Sequence, residues 1–167
     1  EDCAQDNNGC RGIRTVLMRI GVVLTPEGGA LQKLLLPFSL GLGGRIGAGR
    51  QYLSWISIDD ALGAIYHLLM EDKIAGPVNL VAPHPVTNAD FTKALAAVLS
   101  RPAMLPLPAR LIQLLFGQMG QEVLLSSTRV HPKRLLETGY GFRHPEITAS
   151  LRHVLGKSLS ENPQERN

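Results

Sequence analysis

Only two cysteines, Cys3 and Cys10, occur in the 167 residues, and both fall in a polar opening decapeptide. Two thiols seven positions apart with no second pair make neither a zinc knuckle nor a disulfide framework, so a reducing, cytoplasmic setting is expected. No apolar run approaches the roughly eighteen residues of a membrane span. The greasiest stretches, Leu34 to Leu36 and Leu111 to Phe116, are cut by Pro37 and Gly117. Runs of like charge are absent too. Lys and Arg outnumber Asp and Glu by 17 to 14, but they are scattered and aromatics make up only 5%, which argues against a nucleic-acid partner. What remains is ordinary globular composition, 44% hydrophobic and 19% charged, in a chain long enough for its own core. The first residue is Glu1 rather than Met, so the natural start is expected to lie upstream.

The apolar pattern alternates between strand and helix. Residues 14–24, RTVLMRIGVVL, are rich in Val, Ile and Leu and too short for a typical helix, as suits a buried parallel strand, with Gly21 marking a close backbone approach at its end. Thr25 to Gly29 is turn chemistry, and Ala30 to Leu40 fits a helix with Pro37 as kink or terminator. A short strand through Ile56 to Ile58 precedes a helix opening at Asp59-Asp60, with Ala61, Leu62, Ile65, Leu68 and Leu69 on one side. Val78 to Ala82 reads as the next buried strand. Asn88 is the expected N-cap of a helix whose stripe is Phe91, Ala94, Leu95, Val98 and Leu99. Further helices are expected near Pro108, over Pro132 to Glu137 and over Glu146 to Leu155, with residues 158–167 a polar, disordered tail. The fold class is therefore α/β for the first hundred residues and mainly helical after a boundary near Arg101-Pro102.

The residues that could carry chemistry are fewer than the composition suggests. A dinucleotide fingerprint requires G-x-G-x-x-G between a strand and a helix. Gly41 and Gly43 fit, but Ile46 stands at the third position and no acidic ribose ligand follows. The cluster Gly41, Gly43, Gly44, Gly47 and Gly49 is read instead as a flexible or substrate-facing loop, with a purely structural turn as the alternative. Five histidines, His67, His84, His131, His144 and His153, show no tight metal-ligand spacing, so no metal site is expected. Asp59 and Asp60 could form an acid-base dyad, but adjacency at a helix start favours capping, with Asp60 accepting N–H bonds of its own helix. Trp55 is either core or the flat wall of a pocket.

One stretch has a recognisable order. Gly47, Gly49 and Gln51, followed by Ile56, Ser57, Ile58, Asp59 and Asp60, resemble the extended short-chain dehydrogenase/reductases, in which a G-x-G-x-Q loop leads into an Ile-His-Val-x-Asp strand. Arg19 to Val23 with Pro26 resemble the family's R-P-G-N-V-x-G-P strand end. Asn79 to Ala82, Val86, Thr87 and Phe91 resemble its passage from the last strand into a helix. RPAMLPLPARLIQLLFGQM, VHPKRLLETGYGFRHP and Leu151 to Leu155 look like the extra C-terminal domain of the epimerase-family branch. Ser57 and Val22 depart from the histidine and asparagine common there.

The resemblance implies the C-terminal part of a Rossmann-type NAD(P)-binding sheet over residues 13–101 and a smaller, substrate-side domain over residues 102–157, after a lead-in of residues 1–12 that ends a truncated helix. It implies that Ile20, Gly21 and Val22 lie beside the nicotinamide of NAD or NADP, and that the parent transfers hydride at a carbonyl or alcohol carbon of a small, sugar-nucleotide-like substrate. Gln51, polar at the exit of the loop, and Trp55 are the expected substrate-binding residues. The family's Tyr-x-x-x-Lys pair is absent: the residues four on from Tyr52, Tyr66 and Tyr140 are Ile56, Met70 and His144. The chain alone is thus expected to be inactive and to hold no catalytic residue. A homo-oligomer is compatible with the reading. The rival reading is a non-catalytic module that binds a small molecule or a protein.

Overall fold

The computed structural model describes residues 14–103 and 127–157. The expected helix near Pro108 and the expected tail at 158–167 lie outside them, as does the lead-in at residues 1–12.

The single strand expected over 14–24 is two. β1 (Val16–Ile20) pairs in parallel with β5 (Gly76–Leu80), whereas β2 (Val22–Leu24) pairs in parallel with β4 (Trp55–Ser57). The break falls at Gly21, whose N–H donates to the Leu80 carbonyl while the next, that of Val22, donates to the Ser54 carbonyl. One residue moves the chain from one partner strand to another. A third ladder, antiparallel, joins β3 (Tyr52–Leu53) to β6 (Val86–Thr87).

Helices cover both faces. α1 (Gly29–Ser39), α3 (Asn88–Leu99) and α5 (Ile147–Val154) share a core with Leu24, Ile46 and Trp55. α2 (Ile58–Met70) and α4 (Lys133–Glu137) share the other core with Ile56, Val78 and Leu80. Successive strand residues point to opposite faces, so Trp55 enters one core and Ile56 the other. This is an α/β fold with parallel pairing. β1 departs from the fully buried strand expected: Met18, Arg19 and Ile20 are exposed, because β5 is its one partner among the described residues.

The caps explain where the helices begin. Ser57 and Thr87, not Asp60 or Asn88, are the N-caps of α2 and α3. Each hydroxyl accepts the N–H of the aspartate three residues on and donates to that aspartate's carboxylate. This differs from the capping box in that the N3 carboxylate meets the cap hydroxyl rather than the cap's backbone N–H. Pro37 sits inside α1 without ending it. The helix stops two residues later in a Schellman motif, with Gly41 at φ 73° and the N–H groups of Gly41 and Leu42 on the carbonyls of Phe38 and Pro37. At the far end of α2 the Arg14 guanidinium donates to the Leu68 and Leu69 carbonyls and reaches the Ile74 carbonyl. The residue that opens the described chain thus closes the helix that follows the loop.

Candidate functional site

In open α/β sheets ligands bind outside the carboxyl ends of the strands, where neighbouring strands part company. Here the chain changes partner strand at Gly21. Ile20, before it, is half exposed at the carboxyl end of β1, and Val22, after it, is half-buried opposite Trp55. A side chain at Gly21 would lie 2.7 Å from the Ser54 carbonyl oxygen and 2.8 Å from a Val81 methyl. The close approach expected at this glycine is therefore real, but it is an approach to the chain's own backbone. Folding alone demands glycine here.

The glycine loop is tied down at several points. Gly43 lies flat on the Phe38 ring, where a Cβ would come within 2.4 Å. Gly47 and Gly49 hold φ of 56° and 70°, and a short turn closes from the Gly49 N–H to the Ile46 carbonyl. The loop then docks on the start of α3. The Ala89 N–H donates to the Gly49 carbonyl, the Asn88 N–H to the Gln51 carbonyl, and the buried Asn88 side chain accepts the Ile46 N–H at 2.7 Å. These bonds tie the loop to the start of α3. They also occupy the first amides of α3, which leaves that helix end without free donors for a phosphate.

Gln51 is half-buried, and its side-chain amide donates to the Ile46 carbonyl at 3.1 Å. It braces the loop it leaves. Trp55, expected to wall a pocket, has no exposed surface. Its indole N–H donates to the His84 carbonyl at 3.1 Å and its ring lies in the core with Leu24, Leu31 and Phe38. The large apolar ring is better hidden than displayed, and the sole polar atom finds a partner in the loop after β5. Ile20, Gly21, Val22 and Trp55 are thus adjacent in the fold, with Gln51 a strand's length away at the α3 start.

The sequence pattern missed Asp60 as a tether. It is 1% exposed, and its carboxylate accepts from the Ser57 hydroxyl, from the Arg143 N–H at 2.7 Å and from the His144 N–H at 3.0 Å. The amides expected to be those of its own helix belong instead to a segment more than eighty residues away. Tyr140 completes the clasp by donating to the Asp60 carbonyl at 2.9 Å, over Gly63, where a Cβ would meet its hydroxyl at 2.6 Å. Burial, and then the negative charge of Asp60 with partial relief from Arg143, pushes the Tyr140 phenol up from 10.0 to about 12. Ser54 is a second tether. Its hydroxyl donates to the Thr128 carbonyl and accepts the Val130 N–H, holding residues 127–130 beside β3.

Asp59 goes elsewhere. Its carboxylate meets His153 Nε2 at 2.9 Å, and the His153 ring stacks on that of His144 with centroids 4.0 Å apart. The two aspartates therefore serve different partners and form no dyad. The histidines lacked metal-ligand spacing along the chain, yet folding brings ligand atoms of Asp59, His144 and His153 within 4.8 Å of one another. Only three-dimensional proximity exposes this cluster, since its members lie on α2, a loop and α5.

The comparisons with known proteins agree with this architecture. A family described as "Domain of unknown function (DUF1731)" matches residues 107–154. The human "Epimerase family protein SDR39U1" is 44% identical over 142 residues, 85% of this chain and 48% of the relative. The Mycobacterium bovis "Epimerase family protein Mb2239" is 44% identical over 140 residues, 84% of this chain and 46% of the relative. A crystal structure of the human protein with NADPH superposes with a TM-score of 0.80 at 43% identity, covering 87% of this chain and 49% of that one. A nucleoside-diphosphate sugar epimerase from Corynebacterium glutamicum superposes at 0.67 with 34% identity, covering 92% and 29%. The chain spans about half the length of these curated relatives. With their fold, their sequence and the C-terminal domain of their branch, it belongs to the epimerase-family proteins of the short-chain dehydrogenase/reductase superfamily.

Proposed function

We propose that residues 14–157 form the substrate-side half of an NAD(P)-dependent, epimerase-like oxidoreductase that transfers hydride at a carbonyl or alcohol carbon. The observation that carries this reading is the strand switch at Gly21, which sets a half-exposed Ile20 at the carboxyl end of a parallel strand. The human relative of the same fold was crystallised with NADPH. Ile20, Gly21 and Val22 are the residues we assign to one wall of a nicotinamide site, since Ile20 offers apolar surface there. The pyrophosphate grip has no counterpart among the described residues, where the first amides of α3 are paired and the glycine loop is docked. When bound, the dinucleotide would supply or accept the hydride.

The chain's own residues have supporting tasks in this reading. The docked loop carries Gln51 as the polar group beside the substrate, and sugar nucleotides are the class to test first, given the name of the Corynebacterium protein. Trp55 acts from beneath, by fixing the loop at His84 from the core. A chimera joining residues 14–157 to the remaining half of the human relative tests the proposal. Saturable NADPH binding by the folded chimera, with none by this chain alone, is the expected result. A folded chimera that binds neither NADPH nor NADH would overturn it.

A further inference from the structure

We propose that Asp59, His144 and His153 form a binding site for a divalent transition-metal ion of the zinc class. The three ligand atoms already lie within 4.8 Å of one another. Two of them, His153 Nε2 and Asp59 Oδ2, are 2.9 Å apart. Ligands bound tetrahedrally at about 2.0–2.1 Å sit about 3.3 Å from each other, so that pair opens by only a few tenths of an ångström to admit an ion. His144 stacks on the His153 ring at 4.0 Å and 20°, so its ring must turn out of the stack before its in-plane lone pair faces the ion.

Chemistry and framework both favour the site. Two imidazoles and one carboxylate make a borderline donor set that suits Zn²⁺, Co²⁺ or Ni²⁺ and disfavours Mg²⁺ and Ca²⁺, which take oxygen ligands. The backbones are held independently of any ion. Asp59 is in the first turn of α2, His144 has its own N–H on the Asp60 carboxylate, and His153 is carried by α5, whose Leu151 is fully buried in the core. The side chains of Asp59 and His153 remain 39% and 50% exposed, which leaves a solvent-facing position for water on the metal. An ion here would close a connection of more than ninety residues between α2 and α5, and so would stabilise the fold by linkage.

The test is titration of the whole 167-residue chain, under reducing conditions, with Zn²⁺ by calorimetry and with Co²⁺ by absorption. The site requires one ion per chain, cobalt ligand-field bands without thiolate charge transfer, and a rise in melting temperature that chelator reverses. Cys3→Ser/Cys10→Ser must keep all three properties, whereas His144→Ala/His153→Ala and the isosteric Asp59→Asn must each weaken zinc binding at least tenfold. Circular dichroism establishes that each variant is folded. Failure of the wild-type chain to bind either metal saturably overturns the proposal, as does undiminished binding in the double histidine variant.

Discussion

Adjacent aspartates illustrate how far identical side chains diverge once folded. Asp60 is buried and accepts two distant backbone N–H groups, and hydrogen bonds to a charged acceptor contribute about 1.5–3 kcal/mol each. Asp60→Asn keeps the shape but presents an amide in place of one acceptor, and we expect it to cost about 3 kcal/mol in chemical denaturation. Asp59 makes a half-exposed pair, worth at most about 1 kcal/mol, so Asp59→Asn measured in metal-free buffer should barely move the midpoint. Equal losses from both would show that the clasp on residues 143–144 is not what holds the segment. Tyr140 adds a pH signature. Its phenol titrates near 12 rather than 10.0, so the folded state holds the proton more tightly than the unfolded chain does. That stabilisation is complete below pH 10 and is lost as pH rises through 12. Melting curves of the wild type should fall more steeply across this window than those of Tyr140→Phe; parallel curves would contradict the assignment.

The elements were largely legible in the sequence, and the reasons for the misses are local and physical. α3 and the strand before α2 follow from apolar periodicity, which survives folding because burial created it. Cap positions are displaced because Asn88 and Asp60 are good caps in isolation, whereas Thr87 and Ser57 each exchange two hydrogen bonds with the aspartate three residues on. The apolar run over 14–24 looks continuous in sequence because nothing but Gly21 marks the change of partner. Glycine density in the loop signals conformational freedom, and no local pattern announces Asn88, forty-two residues on, as the side chain that binds the Ile46 N–H. Gly63 is the counterpart within a helix. Glycine costs an exposed helix interior about 0.5–1 kcal/mol relative to alanine, and here the Tyr140 hydroxyl occupies the space a Cβ would take. Gly63→Ala should therefore destabilise the wild type yet be neutral or stabilising in a Tyr140→Phe background. A double-mutant cycle by urea denaturation measures that coupling, and additive effects would remove the explanation.

At the scale of the whole molecule the apolar surface is unevenly covered. Leu62, Tyr66, Leu69 and Met70 recur at helical spacing along the outer side of α2, each more than half exposed, and Met18 and Ile20 extend the apolar surface along β1. A groove of about 230 Å³ lies between the two elements, lined by Arg14, Val16, Met18, Ile65, Leu68 and Leu69. Contiguous apolar surface of this kind is uncommon on monomers, and β1 has one partner strand among the described residues, an arrangement that invites pairing at the other edge. The chain by itself is therefore expected to associate with a second copy across α2 and β1, as sedimentation velocity over a hundredfold concentration range would reveal. Leu62→Glu/Leu69→Glu places two charges on that face without touching the buried Ala61, Ala64 or Leu68, so the variant should stay folded and shift toward monomer. A wild-type chain that sediments as a monomer at every concentration would mean that the exposed stripe is tolerated by solvent alone, and that the edge of β1 away from β5 recruits no second copy.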